Sequence, residues 1–218
     1  MLKAVMVASA LFCGVLVAGA AGPAQANYVV NGTFSDPNVG AGWAPFANGD
    51  VPGWTNPQNN DGLEIDSTLV VFGMPEYGTE TQSLEVDGST FGTAAQTING
   101  LTVGANYLFS WGYGDRPGSG PQQLDVYFGD TLVTSDIGSG SGAWTANSFV
   151  VTATSSSETI SFVADVTDGN PSVGNEIADV SLVDAPEPAS VALFGAGLFG
   201  IFLIRRGDKL AARAPATA

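Results

Sequence analysis

The chain has 218 residues, 44% of them hydrophobic and 12% charged, and its formal net charge is −15 with no histidine. The missing imidazole excludes a His-based catalytic triad and a His-ligated zinc site. Such acidity excludes binding of nucleic acid or anionic lipid by charge.

Lys3 precedes an apolar stretch from Ala4 to Ala21, and Ala24-Gln25-Ala26 places small residues where a signal peptidase reads. Residues 1–26 therefore read as a secretory signal peptide cut after Ala26. Cys13 is the one cysteine and lies inside that apolar stretch, behind Leu11 and Phe12 rather than the small residues of a lipidation site. The mature chain thus has no disulfide and must be stable through its core or a bound metal.

Residues 27–185 are one domain by length. They hold 19 Asp and Glu against one cation, Arg116. No helical periodicity stands out. Short runs rich in Val, Ile, Thr, Phe and Tyr are bounded by Gly, Asn, Asp, Ser and Pro. They predict strands near 28–34, 62–66, 81–87, 94–99, 105–113, 122–128, 131–134, 145–153, 157–165 and 176–183. Tyr107, Phe109, Trp111 and Tyr113 alternate with Leu108, Ser110 and Gly112, so four rings share one strand face. Leu124, Val126 and Phe128 alternate with Gln123, Asp125 and Tyr127, and Gly129-Asp130 then marks a hairpin turn. About ten strands imply an all-β fold, two packed antiparallel sheets. Residues 35–61, 114–121 and 167–175 read as loops; the first is long enough to need a function or something that pins it.

An ordered set of segments runs through this region: Val30-Asn31-Gly32-Thr33-Phe34, Gly53-Trp54-Thr55, Ser83-Leu84-Glu85-Val86-Asp87-Gly88, Gln96-Thr97-Ile98, Tyr107-Leu108-Phe109-Ser110-Trp111, Thr159-Ile160-Ser161-Phe162 and Ile177-Ala178-Asp179-Val180-Ser181-Leu182. It resembles the galactose-binding-like jelly-roll domains, the β-sandwich group that includes many carbohydrate-binding modules. The resemblance implies a non-catalytic polysaccharide binder and a structural Ca²⁺ ion held between the first-strand loop and the last strand. Asp179 matches the last-strand ligand; Ser35 stands where a glutamate is common, and Asp36 comes one residue later. Oxygen ligands and excess acid suit Ca²⁺, while the same two aspartates also suit turn capping.

Sugar rings stack on aromatic faces, and their hydroxyls pair with carboxylates, amides and arginine. The candidate ligand-binding residues are Trp54, Tyr77, Tyr113 and Arg116, with Trp43 and Trp144 as further loop aromatics. A loop ring also serves as a plug over the sandwich edge, and Arg116 also suits a neighbouring carboxylate such as Asp115. Glu64, Asp66, Glu85 and Glu176 are the acids from which a glycosidase pair could be drawn, which requires two carboxyl groups about 5–10 Å apart. No local motif supports one, so no catalytic residue is assigned.

The C-terminal stretch opens on Pro186-Glu187-Pro188, continues through the uncharged run 189–204, and ends on Arg205-Arg206. As a helix the run is roughly 24 Å long, short of a hydrocarbon core of roughly 30 Å, and the arginines extend its reach by snorkelling. The prolines place the helix start after Pro188, and the basic cluster Arg205, Arg206, Lys209 and Arg213 places the C-terminus in the cytoplasm. A permanent anchor would look similar. The three parts in this order resemble the PEP-CTERM sorting signal of Gram-negative bacteria, which implies cleavage near Pro186, Glu187 and Pro188 by an exosortase.

The organisation expected is a signal peptide at 1–26, a jelly-roll sandwich at 27–185, a sorting signal at 186–209 with one transmembrane helix at 189–204, and a cytoplasmic tail at 210–218. The expected protein is exported, held at the inner membrane by its C-terminal helix until processed, and then released to the cell surface or beyond. It is read as non-enzymatic and associated with extracellular polysaccharide. A structural matrix protein without a specific ligand and a glycan hydrolase are the alternatives.

Overall fold

The computed structural model describes residues 25–58, 62–68, 73–165 and 172–186. Residues 1–24 of the expected signal peptide, the run 189–204 and the cytoplasmic tail lie outside these residues. Among the described residues no helix is long and apolar enough to cross a membrane.

Among the described residues ten strands form: β1 (Trp43–Phe46), β2 (Leu63–Ser67), β3 (Gln82–Glu85), β4 (Thr93–Asn99), β5 (Asn106–Asp115), β6 (Gln123–Phe128), β7 (Thr131–Ile137), β8 (Thr145–Thr152), β9 (Ser157–Ala164) and β10 (Asn175–Asp184). They build the expected all-β sandwich of two antiparallel sheets. One sheet has six strands in the order β1-β2-β3-β10-β5-β8, and the other has four in the order β4-β9-β6-β7. The chain crosses between sheets after β3, β4, β5, β7, β8 and β9, the repeated crossing that makes a jelly roll.

Period-two patterning fills the space between the sheets. Tyr107, Phe109, Trp111 and Tyr113 of β5 are all buried on the inner face, as are Leu124, Val126 and Phe128 of β6. Phe162 of β9 meets Trp111 at 5.7 Å, Phe109 at 5.9 Å and Trp54 at 6.1 Å between ring centroids, and Trp54 meets Phe34 at 5.2 Å. Tilted and edge-on pairs of this kind each add about 0.5–1.5 kcal/mol beyond the area they bury.

Nine of the expected strands are found within a few residues of their expected bounds; the stretch 28–34 is not a strand. Asn31 and Phe34 have φ of 51° and 53°, which breaks the extended run. The stretch still lies along β10: the Tyr28 amide donates to the Leu182 carbonyl at 2.8 Å, and the Val180 amide donates to the Gly32 carbonyl at 2.9 Å. A Cβ on Gly32 would come within 1.9 Å of the Val180 oxygen, so only glycine allows this approach. The strand missed is β1, inside the stretch expected to be loop. Its proline, Pro45, masks the pattern, and it is tolerated because β1 lies at the sheet edge.

Buried amides pin the long first loop. Gln82 donates to the carbonyls of Phe34 and Pro37 and accepts from the Val39 amide at 2.8 Å. Gln96 holds both backbone groups of Val30, at 2.7 and 2.9 Å. Thr55 bridges to Ala95 through two backbone bonds of 2.9 Å.

Glu158, in β9, ties down the turn after β8. Its carboxylate accepts from the amides of Thr154 and Ser155 at 2.8 Å and from the Thr154 hydroxyl at 2.7 Å. The Thr154 hydroxyl bond leads, with the two amides, in holding the Glu158 carboxyl below the ordinary glutamate value. A lowered folded pKa contributes stability above the unfolded value and loses it as pH falls through the folded one. Glu158→Gln should therefore cost about 1 kcal/mol near neutral pH. The gap between variant and wild type should close in acid, as read from denaturant melts at about pH 7 and about pH 3.

Candidate functional site

In β2, Leu63 and Ile65 face the core, which turns Glu64 and Asp66 to the opposite face of the six-stranded sheet. In β3, Leu84 faces in and Ser83 and Glu85 face out; in β10, Ile177 faces in and Glu176 faces out. Register then aligns these residues. Glu64 stands opposite Glu85, Glu85 opposite Glu176, and Glu176 opposite Gly114, in a row across β2, β3, β10 and β5. The next row sets Asp66 opposite Ser83.

All four acids are buried: Glu64 is 6% exposed, Asp66 2%, and Glu85 and Glu176 1% each. Like charges directly opposite one another repel, and a buried unpaired carboxylate costs several kcal/mol. One cation opposes this. Arg116 follows β5 and reaches across β10 to Glu85, donating through one nitrogen to both carboxylate oxygens at 2.8 and 2.9 Å and to the Ser172 carbonyl at 3.1 Å. The Gly174 amide adds a bond of 2.8 Å to Glu85. Both oxygens of Glu85 thereby have donors, whereas neither carboxylate oxygen of Asp66 or of Glu176 makes a hydrogen bond. Burial pushes Glu64 up to about 7 and Glu85 up to about 9, with the charge of Asp66 adding to each and Arg116 opposing. Burial drives Asp66 and Glu176 in the same direction, with Asp66 and Glu85 adding their charge at Glu176.

One oxygen from each of Glu64, Asp66 and Glu85 lies within 4.8 Å of the other two. A small cleft bordered by Pro45, Asn56, Gly62 and Gly88 opens onto Glu64 and Glu85, and its free volume of about 10 Å³ has room for a single water-sized occupant. Gly88 keeps that approach tight, since a Cβ there would strike the Glu64 carboxylate at 2.6 Å.

Beside the acids, the same sheet face carries aromatic rings. Gly112 and Gly114 leave β5 without side chains on its outer side. The Tyr77 ring lies over Gly112, and Trp144 and the Met74 methyl lie over Gly114, all within 3 Å of where a Cβ would stand. Tyr77 and Trp144 are partly exposed, 5.4 Å apart between centroids, and the Trp144 indole donates to the Pro75 carbonyl at 2.7 Å. Burial and then the charge of Asp179 raise the Tyr77 hydroxyl, and burial with the same aspartate raises Glu80. Trp43 of β1, half exposed, stands opposite Asp66 at the far side of this face.

The residues expected from the sequence to bind ligand are scattered. Trp54 is 1% exposed and donates its indole N–H to the Asn31 carbonyl at 3.2 Å, so it is a core ring without a free face. Tyr113 continues the inner aromatic row of β5, its hydroxyl 2.9 Å from the Asn175 side-chain oxygen, and burial raises that hydroxyl. Arg116 is buried against Glu85, not against Asp115, which turns to the Gly140 amide. Tyr77 keeps an accessible ring. Asp36 and Asp179 are both exposed; the backbone of Asp36 is held by the Asn31 side chain, and Asp179 sits at φ 47° where β10 bulges. Neither belongs to a group of three acids among the described residues, so the donor set there is two solvated carboxylates. Pro186 is described and exposed; Glu187, Pro188, Arg205 and Arg206 lie outside the described residues. The four acids Glu64, Asp66, Glu85 and Glu176, named singly from the sequence, come together because register aligns strands that are far apart in the chain.

Residues 184–206 match the PEP-CTERM protein-sorting motif, so the chain carries the sorting signal of an exported protein. Over 195 residues, 84% of its length, the chain is 28% identical to halomucin of Haloquadratum walsbyi, and it spans 2% of the length of that relative. Its structure is similar to that of the carbohydrate-binding module TmCBM61 in complex with β-1,4-galactotriose, at 13% identity and a TM-score of 0.46, covering 74% of this chain and all of that one. It is also similar to the CBM22-1–GH10 modules of Clostridium thermocellum xylanase 10B, at 19% identity and a TM-score of 0.44, covering 68% of this chain and 29% of that one.

The pairing of Arg116 with Glu85 generates a direct test. Arg116→Met leaves Glu85 buried beside three acids with no cation, and should cost about 3–5 kcal/mol in denaturant unfolding. Adding Glu85→Gln to that variant should restore a large part of the loss, because the remaining polar group then carries no charge.

Proposed function

We propose that this chain is a non-enzymatic exported protein whose sandwich associates with extracellular polysaccharide through the Tyr77–Trp144 surface. The observation that carries the reading is the pair of partly exposed rings laid over the glycines of β5, with Glu80 and Asp179 beside Tyr77. The C–H faces of a sugar ring are apolar and pack on aromatic faces, while its hydroxyls need carboxylate or amide partners; a site with aromatic rings and a few polar groups has that character. The glycine floor and the indole bond to Pro75 hold the rings in place, which lowers the ordering cost of binding. Export by the sorting signal delivers the domain to where polysaccharide is found. In this reading a signal peptidase removes residues 1–26 and an exosortase processes the tail.

The buried acids favour a binder over a hydrolase. A glycosidase needs a sugar between its two carboxyl groups, and the cleft over Glu64 and Glu85 has room for one water-sized group, far less than a sugar ring.

Affinity electrophoresis and a glycan array on the full chain test the reading. Retention by one or more polysaccharides is expected, weakened about tenfold or more by Trp144→Ala or Tyr77→Ala, which corresponds to ~1.4 kcal/mol. Trp43→Ala should change it little. No retention by any polysaccharide would favour a matrix protein without a specific ligand. Reducing-sugar release abolished by Glu64→Gln would favour the hydrolase.

A further inference from the structure

We propose that the carboxylates of Glu64, Asp66 and Glu85, with Glu176 beside them, form a buried Ca²⁺ site on the outer face of the six-stranded sheet, separate from Asp36 and Asp179 and from the Tyr77–Trp144 surface. The first observation is the gathering of acid oxygens: one each from Glu64, Asp66 and Glu85 falls within 4.8 Å of the others. Ligand oxygens around one Ca²⁺ at about 2.3–2.6 Å stand no farther apart than about 5 Å. The second is independent of the first. Asp66 and Glu176, 2% and 1% exposed, each keep both carboxylate oxygens without a hydrogen-bond partner. Buried polar groups in native proteins are satisfied in the great majority of cases; Arg116 and the Gly174 amide bond Glu85, and the Ser83 hydroxyl opposite Asp66 can donate one proton among the four oxygens of Asp66 and Glu176.

The chemistry selects the ion. Every ligand is a carboxylate oxygen, which suits a hard cation and not a thiolate- or imidazole-seeking one. The strands supply several oxygens at once, and the cleft over Glu64 admits about one water-sized group. Mg²⁺ keeps several waters and demands octahedral geometry, whereas Ca²⁺ accepts many protein oxygens in a looser arrangement. A divalent ion would offset the charge that Arg116 leaves over and bridge β2 and β3, strands whose acids otherwise repel. Gly88 and Gly62 at the cleft leave a way in from solvent.

The test uses the full chain, stripped with EDTA and dialysed, with CaCl₂ or MgCl₂ added back. Calorimetry should show one Ca²⁺ bound per chain. Thermal melts should show a Tm higher by roughly 5–10 °C at a free Ca²⁺ concentration about 100 times the Kd. Asp66→Asn, which keeps shape and removes charge, should abolish the Ca²⁺ response while melting no lower than stripped wild type. Glu64→Gln, at the cleft mouth, should fold normally and bind about tenfold more weakly, and it decides the matter should Asp66→Asn fail to fold. Asp36→Asn with Asp179→Asn should leave the response intact. Absence of Ca²⁺ uptake by the wild-type chain, an undiminished response in Glu64→Gln, or a response lost with Asp36 and Asp179 would each overturn the proposal. A larger shift with Mg²⁺ would overturn the choice of ion.

Discussion

Antiparallel pairing sets Glu64, Glu85 and Glu176 side by side on three neighbouring strands, buried and of one sign, and the architecture of this face follows from that constraint. The inner faces of the same strands hold Leu63, Ile65, Leu84 and Ile177, so the register cannot slip to relieve the repulsion without turning the apolar residues out of the core. Relief must come from outside the row. Arg116 supplies part of it by crossing β10 to reach Glu85, and the Gly174 amide supplies more. Asp66 and Glu176 are left without donors, an arrangement that hydrophobic burial elsewhere has to sustain.

The two sides of the six-stranded sheet show how differently one strand treats its alternate residues. β5 places Tyr107, Phe109, Trp111 and Tyr113 inward, where they meet Phe162 and fill the centre of the sandwich. Outward it places Gly112 and Gly114, and the missing side chains make room for Tyr77, Met74 and Trp144 to lie on the strand itself. A methyl at Gly112 or Gly114 would lift these rings away, so the outer aromatic surface depends on glycines as much as on aromatics. Loops that would otherwise wander are held by buried amides, with Gln82 and Gln96 taking over backbone partners that no strand supplies.

The separation of functions along the chain is consistent with this chemistry. The sorting motif occupies residues 184–206 and overlaps the end of β10 by one residue, Asp184. The acids of the domain far outnumber its one cation, Arg116, and Asp87 and Asp136 are buried as well as the Glu64–Glu85–Glu176 row, each raised by burial.

The amino-acid order alone determined the sorting signal, the all-β class, nine of ten strands and the inner rows of β5 and β6, because each rests on local periodicity or on contiguous residues. It also named all four buried acids, as separate residues without a common purpose. It did not reveal β1, whose Pro45 hides an edge strand, nor the break in 28–34, where positive φ at Asn31 and Phe34 arises from how the stretch docks on β10. The site was the least legible part. Trp54, Tyr113 and Arg116 look like exposed ligand contacts in a loop-rich reading, yet the packing of the two sheets buries all three. Only the tertiary structure decided that Glu64, Asp66, Glu85 and Glu176 share one face and that Tyr77 meets Trp144. Those contacts join strands and loops more than a hundred residues apart, and strand register, which sets them, is a property of the assembled sheet.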